Sequence, residues 1–521
     1  MSYETLTVPL ADQLDALFGQ YTAAGQARGL VYGLSTAGGL VHWRGFGQAN
    51  DAGAAPDADT VFPIASMTKS FVAAGALAAR DRGLIDLDAP ITDFFGEFAA
   101  LGPNDEPMDP PTIKELLTMG GGLTEDNSWV DPFIDMSVED LLGIIAPGLR
   151  YSHPPGAAFE YSNLGFALAG LAVGRAVGRP IEDWVREEIV DPLALGSTRF
   201  DNQPPDPNAT RAVGYTLSEA GEWIGYPPVV SAAFAAAGGM VSTVRDLTAW
   251  ITWLGAAWRD GLEEGPLRRA SRRELQRVHQ LASPAASLRL DGALELSVSG
   301  YGIGLMVRED LHRGTVVAHS GGLPGFITYM VWHPDSGRGV VVATNSHRSD
   351  PRVLGDEALR RALAADQAPA RSVRLWPATR ERLADAETLI RAWDEDLAAR
   401  VLADNIGFDR PLAARRAAIA ELITQIGPLR ERVAEPDVLS ATTPADVSWS
   451  IPGERGELIC SIHLTPTRAA QIQEWEVAAA PWTSPRTVRP VDVSRKARRG
   501  TPTITSEANR RIIWPPPGGV S

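Results

Sequence analysis

At 521 residues, 44% hydrophobic and 21% charged, the chain is long enough for roughly two to four globular domains. A net charge of −16 argues against a nucleic-acid partner, which needs basic surface to displace counterions, and a single cysteine, Cys460, excludes an internal disulfide and a thiolate metal site. There is no run of eighteen apolar residues, and no basic cluster leads into an apolar stretch near residue 1, so a cytoplasmic protein without a membrane segment is expected.

Along the chain, Leu10, Leu14, Leu17, Phe18 and Tyr21 fall on one helical face and predict an amphipathic helix. RGLVYGLSTAGGLVHWRGFG then reads as two strands around an Ala-Gly-Gly turn. From Ser66 to about Leu254 helical patterns dominate, in SMTKSFVAAGALAARDRG, TIKELLTM, SNLGFALAGLAVGRAVG and STVRDLTAWITWLG. Several open on the Ser or Thr that favours a helix N-cap. Strands return in GYGIGLMVRED, GTVVAHSGG, FITYMVWHP and RGVVVATN. The glycines from Gly300 have the wrong spacing for a dinucleotide fingerprint and are read as close packing within a strand. A sheet drawn from both ends of one segment, with helices between, is an α+β architecture.

After Asn345 the texture changes. Residues 351–375, around DQAPARSVRLWP, read as a linker. Leu389, Trp393, Leu397 and Val401 predict one helix at four-residue spacing, and about Pro411 to Ile426 a second. ADVSWSI, ELICSIHL and IQEWEVAAA follow as strands, the middle one alternating Leu458, Cys460, Ile462 and Leu464. Residues 376–483 are thus expected to form a small α+β domain, loosely similar to the cone-shaped nuclear-transport-factor-like fold. Trp393, Trp449, Trp475 and Trp482 suit core or interface anchors. From Ser484 the last 38 residues carry eight basic and two acidic residues with WPPPGG, which fits either a poorly ordered tail or a basic arm lying on acidic protein surface.

The chain holds three lysines, Lys69, Lys114 and Lys496, against 45 arginines. Since arginine is used wherever a bare positive charge serves, Lys69 in PIASMTKSFV points to something a guanidinium cannot do, which is to shed its proton when buried and act as a base. Ser66 opens the predicted helix and Lys69 stands one turn on, so a nucleophile and a base project to the same side. In FEYSNLG, Tyr161 and Asn163 lie two residues apart on a loop before a helix and can face one cleft. In VVAHSGG a strand delivers His319 and then Ser320, Gly321 and Gly322, where glycine lets a backbone N–H approach a ligand. His312 with Gly314 repeats the His-x-Gly pattern but falls in a turn. The eight histidines show no metal-binding spacing, and there is no Walker loop or GxSxG elbow, so no metal and no cofactor are expected.

In order and context, Ser66-Met67-Thr68-Lys69, Tyr161-Ser162-Asn163 and His319-Ser320-Gly321 resemble the three motifs of the serine β-lactamase and penicillin-binding-protein superfamily. The closer likeness is to the branch with class C β-lactamases, D-aminopeptidases and esterases of β-lactamase fold. TIKELLTM, PGAAFEYSN, DPLALGSTRF, GGMVSTVRDL and HSGGLPGF agree with it, and the resemblance covers residues 1–350. It implies a β-lactamase/transpeptidase-like α+β fold, an antiparallel sheet flanked by helices with a helical subdomain. It also implies that Ser66 forms an acyl-enzyme, that Lys69 and Tyr161 share the base and acid roles with Tyr161 as a phenolate, and that Asn163 orients the substrate and Lys69. The N–H groups of Ser66 and Gly322 would form the oxyanion hole.

His319 departs from the superfamily's β-lactamases and D,D-carboxypeptidases, which carry Lys there to hold a substrate carboxylate; an imidazole neutral near pH 7 holds it poorly. TMGGGL is also richer in glycine than the usual THTSGL. The expectation is therefore a hydrolase of a small ester or amide, esterase-like or D-aminopeptidase-like. Behind it stand a thioesterase or transacylase, then a β-lactamase or D,D-peptidase, and a non-catalytic binding protein that kept the fold. A small molecule, not nucleic acid or membrane, is the expected partner, and the C-terminal region is where homo-oligomer contacts could form.

Overall fold

The computed structural model describes residues 8–96, 100–102, 106–228, 230–259, 265–288, 294–310, 313–366, 373, 375–431 and 437–481. The basic tail, Trp482 and His312 lie outside them. The chain divides into two compact units, Met1–Arg371 and Ser372–Ser521. No single helix among the described residues is long and apolar enough to cross a membrane.

The first unit is built on an eight-stranded sheet of β1 (Gly29–Thr36), β2 (Gly39–Gly47), β3 (Gln280–Leu288), β4 (Leu294–Tyr301), β5 (Met306–Asp310), β6 (Gly314–Leu323), β7 (Phe326–His333) and β8 (Arg338–Thr344). The order is β3-β4-β5-β6-β7-β8-β1-β2, antiparallel throughout. The early hairpin thus joins the late meander, with Val31 opposite Ala343 and Leu34 opposite Val340. The helices that matter here are α1 (Val8–Ala23), α2 (Thr68–Asp81), α3 (Asn163–Val177), α4 (Val244–Ala256) and α5 (Pro351–Ala365).

Successive strand residues point to opposite faces, and both faces are covered. On one, Leu14 and Phe18 of α1 and Leu354, Ala358, Leu359 and Ala362 of α5 pack with Tyr32, Leu34, Val331, Val340 and Val342. On the other, Phe71 of α2 stacks on Trp250 of α4 at 4.1 Å, in one core with Val31, Met330 and Val341. Double burial explains why GVVVA in β8 is apolar without alternation.

The structure departs from the sequence reading in four places. Residues 351–365 are not linker. Asp350 caps α5 by accepting the Arg352 N–H, Pro351 opens it, and its apolar residues recur every three to five positions against the sheet. GYGIGL is not one strand: β4 ends at Tyr301 and β5 begins at Met306, with a turn between them that needs Gly304 at φ +70°. The edge strand β3 and most of β4, from Leu294 to Ser299, were not anticipated. In the second unit, the single helix expected through Leu389 and Val401 is two, α6 (Pro377–Arg391) and α7 (Glu395–Val401). They break where Ala392 is extended and Asp394 accepts the Leu397 N–H at 2.7 Å, an N-cap that competes with helix continuation.

The second unit continues with α8 (Leu412–Ile426) and an antiparallel meander of β9 (Asp437–Ser440), β10 (Asp446–Pro452), β11 (Glu457–Leu464) and β12 (Ile472–Ala480). Leu458, Cys460, Ile462 and Leu464 face its core with fully buried Trp449, while Trp393 stacks on Trp475 at 6.2 Å.

Candidate active site

Ser66 sits in a single 3₁₀ turn, Ala65–Met67, that leads directly into α2. The turn is held on two sides. The Ile64 N–H donates to Met240 O at 2.9 Å, the Met240 N–H donates to Thr68 Oγ1 at 3.0 Å, and Thr328 Oγ1 donates to Ile64 O at 3.3 Å. β6 presses so close that a Cβ on Gly321 would lie 2.1 Å from Ile64 O. Ala65 is held at φ +46°, a strained angle for a residue with a side chain, immediately before Ser66.

Lys69, one turn on, is fully buried. Its Nζ lies 3.0 Å from Ser66 Oγ, 2.7 Å from Asn163 Oδ1 and 2.7 Å from Ala237 O. Burial lowers its pKa to about 7, against an opposing pull from the Asp126 charge. The carbonyl of Ala237 can only accept, and Asn163 has its amide nitrogen committed to Asp126 Oδ1 (3.1 Å) and Asn127 Oδ1 (2.8 Å), so its oxygen faces the lysine. A neutral Lys69 therefore spends both N–H groups on these two acceptors, and its lone pair is left facing the Ser66 hydroxyl.

Asn163 is the first residue of α3, which Ser162 caps by accepting the Gly165 N–H at 3.0 Å. Beneath it lies Asp126, which carries no motif signal. Its carboxylate accepts Ser162 Oγ at 2.9 Å, the Asn163 N–H at 2.8 Å and the Leu164 N–H at 2.8 Å, placing negative charge at a helix N-terminus. The Tyr161 ring centroid lies 5.0 Å from Lys69 Nζ. Desolvation pushes the Tyr161 phenol well above its ordinary pKa, Asp126 and Glu125 add to the rise, and the Ser66 hydroxyl opposes it. Desolvation thus favours the protonated phenol over the phenolate implied by the resemblance, and favours the neutral amine at Lys69.

His319 is also buried, and both ring nitrogens are engaged: Nε2 lies 2.8 Å from Tyr301 Oη and Nδ1 2.7 Å from Ser320 O. Ser320, Gly321 and Gly322 follow on β6 beyond its last partner on β5, where Ala318 pairs with Met306, so among the described residues this edge is unpaired, and it runs past the Ser66 turn. A Cβ on Gly322 would meet nothing within 4 Å, unlike its neighbour. The structure thus gathers Ser66, Lys69, Tyr161, Asn163 and the His319–Gly322 strand in one place and adds Asp126 and Tyr301. Among the described residues no group of three or more His, Cys, Asp or Glu could hold a metal ion.

The family model described as Beta-lactamase matches residues 14–365. The chain belongs to the beta-lactamase family. Esterase EstB of Burkholderia gladioli is 31% identical over 213 residues, 38% of this chain and 53% of that one. The solved penicillin-binding protein homologue of Pyrococcus abyssi, described as octameric, superposes with a TM-score of 0.57 at 17% identity over 87% of this chain and 96% of that one. A D-amino acid amidase from Ochrobactrum anthropi SV3 gives 0.51 at 24% identity over 69% and 99%. The structural matches establish the β-lactamase/transpeptidase-like fold for this beta-lactamase family member. The chain spans between about half and two thirds of the length of the curated relatives it matches.

Proposed function

We propose that the protein is a serine hydrolase that forms an acyl-enzyme at Ser66 and cleaves a small ester or amide. The observation that carries this reading is the buried Lys69 Nζ, 3.0 Å from Ser66 Oγ with its other contacts fixed by Asn163 and Ala237. Lys69 takes the Ser66 proton as Oγ attacks the carbonyl carbon. The leaving group then receives a proton from the Lys69 ammonium, with the protonated Tyr161 hydroxyl beside Ser66 as the relay. Water repeats the sequence on the acyl-enzyme and releases the acid.

The oxyanion is assigned to two backbone donors. The Pro324-Gly325 turn closes a hairpin in which Leu323 pairs with Phe326. In such a two-residue hairpin the closing pair bonds across the ladder, so the next residue, Gly322, turns its N–H to the opposite, unpaired edge. The Ser66 N–H, in the first turn of its helix, has no intrahelical acceptor and is the second donor. Each such donor is worth about 3 kcal/mol. Esterase EstB and the D-amino acid amidase support an ester or amide as the substrate class.

The test is intact-protein mass spectrometry after exposure to p-nitrophenyl acetate, p-nitrophenyl butyrate and D-alanine p-nitroanilide, with Ser66→Ala as control. An acyl adduct present in the wild type and absent in Ser66→Ala is expected, and the preferred probe separates esterase from D-aminopeptidase. Turnover retained by Ser66→Ala on every probe would remove the proposal.

A further inference from the structure

Tyr301, at the end of β4, is fully buried, and its hydroxyl meets His319 Nε2 at 2.8 Å. The Ser320 carbonyl, 2.7 Å from Nδ1, can only accept. The hydrogen of a neutral ring is therefore on Nδ1, Nε2 is a bare acceptor, and Tyr301 is the donor. The pair stands against the reacting groups: Tyr301 meets Tyr161 edge-on at 6.2 Å between centroids, and the His319 ring is 6.4 Å from that of Tyr161. The titratable groups that face His319 are Lys69 from α2, Tyr161 from the segment before α3, and Tyr301 from β4. Burial lowers the His319 pKa to about 3, the Lys69 charge adds to this, and the bond to Ser320 opposes it.

We propose that Tyr301 is a positioning residue that occupies Nε2 while the Ser320 carbonyl holds Nδ1–H, completing the lock on one neutral His319 tautomer, and so makes the site select acyl donors whose leaving group carries no carboxylate. This rests on the serine-hydrolase reading and narrows it. A cation here would hold an anionic leaving group. A neutral ring with both nitrogens occupied offers neither charge nor hydrogen, and a carboxylate brought against it loses water without compensation. Tyr301 acts through His319.

Two readouts test this. The first is imidazole ¹⁵N NMR of the free Ser66→Ala protein, with and without Tyr301→Phe, from pH 5 to 9. The second is kcat/KM at pH 7 for 4-(butyryloxy)benzoate against its methyl ester, which share acyl group and phenol and differ by one remote charge. Expected are a His319 that stays the neutral Nδ1–H form across the range and a preference for the methyl ester of about tenfold or more, the scale of an uncompensated charge. Tyr301→Phe should shift the Nε2 resonance and shrink the preference at least about threefold, as expected for one lost hydrogen bond. An unmoved His319 signal, or equal slowing of both esters at unchanged preference, overturns the proposal, the latter marking Tyr301 as merely structural. If Tyr301→Phe does not fold, the parent spectra decide, because a cationic or Nε2–H His319 at neutral pH overturns the lock. If neither these esters nor D-alanine p-nitroanilide acylates wild-type Ser66 while His319 keeps its tautomer, the hydrolase reading fails, the selection of acyl donors falls with it, and only the tautomer lock stands.

Discussion

Asp126→Asn removes the carboxylate whose charge raises the Lys69 pKa against the burial that lowers it to about 7. Asp126 Oδ1 and Lys69 Nζ are linked through the Asn163 amide by contacts of 3.1 and 2.7 Å. Those contacts put the two charges no more than about 8 Å apart, where an effective dielectric of about 20 gives roughly 2 kcal/mol, or about one and a half pH units. The sign follows from the form that works. In the proposed reaction neutral Lys69 accepts the Ser66 proton, so acylation rises with pH through the Lys69 pKa and levels off above it. Losing Asp126 disfavours the ammonium, so the acid limb moves from near 7 to roughly 5.5. The assay is the pH profile of kcat/KM for p-nitrophenyl butyrate from pH 5 to 9. At pH 6 the variant should hold about eight times the wild-type fraction of its own plateau. The plateau itself should fall, because Asp126 also fixes Ser162, Asn163 and Leu164. A limb that stays in place or moves to higher pH refutes the electrostatic reasoning.

Three other substitutions probe the same construction. Gly321→Ala puts a methyl 2.1 Å from Ile64 O and should cost about 3 kcal/mol or more with loss of activity, whereas Gly322→Ala meets nothing within 4 Å and should melt with the wild type. Equal melting temperatures for the two would contradict the packing account. Lys69→Arg keeps a positive charge but no titratable base, and kcat/KM should drop about a thousandfold or more, measured at the wild-type plateau. In the second unit, Trp449→Ala empties a fully buried site and should cost about 3–5 kcal/mol, seen by calorimetry as an earlier transition; a shift of under about 1 kcal/mol would mean the strand is not core.

The candidate site residues were legible because each sits where local rules act. Ser66 and Lys69 are one helical turn apart, Asn163 opens a helix with a Ser cap, and His319 lies in a strand bounded by glycines. The hairpin of β1 and β2 was legible from its glycine turn. Asp126 and Tyr301 were not, since their partners are 36 and 18 residues away and no spacing rule connects them. The same limit hid α5. Its apolar face has meaning only against β7 and β8, and QAPARSVRLWP just beyond it carries the look of a linker.

Asn345 follows β8 and accepts the Gly29 N–H of β1 at 2.6 Å, across 316 residues of chain. A ribosome adding about 5–20 residues per second takes roughly 15–60 s to cover that distance. Until β6 emerges, the Ser66 turn lacks the strand edge that presses on Ile64, and until β8 emerges, β1 and β6 have no common sheet. A nascent chain therefore exposes an ordinary serine and an ordinary lysine, solvated and unreactive. Completion of the first unit assembles the candidate nucleophile and its base, so any reactivity of Ser66 waits on a finished product of translation.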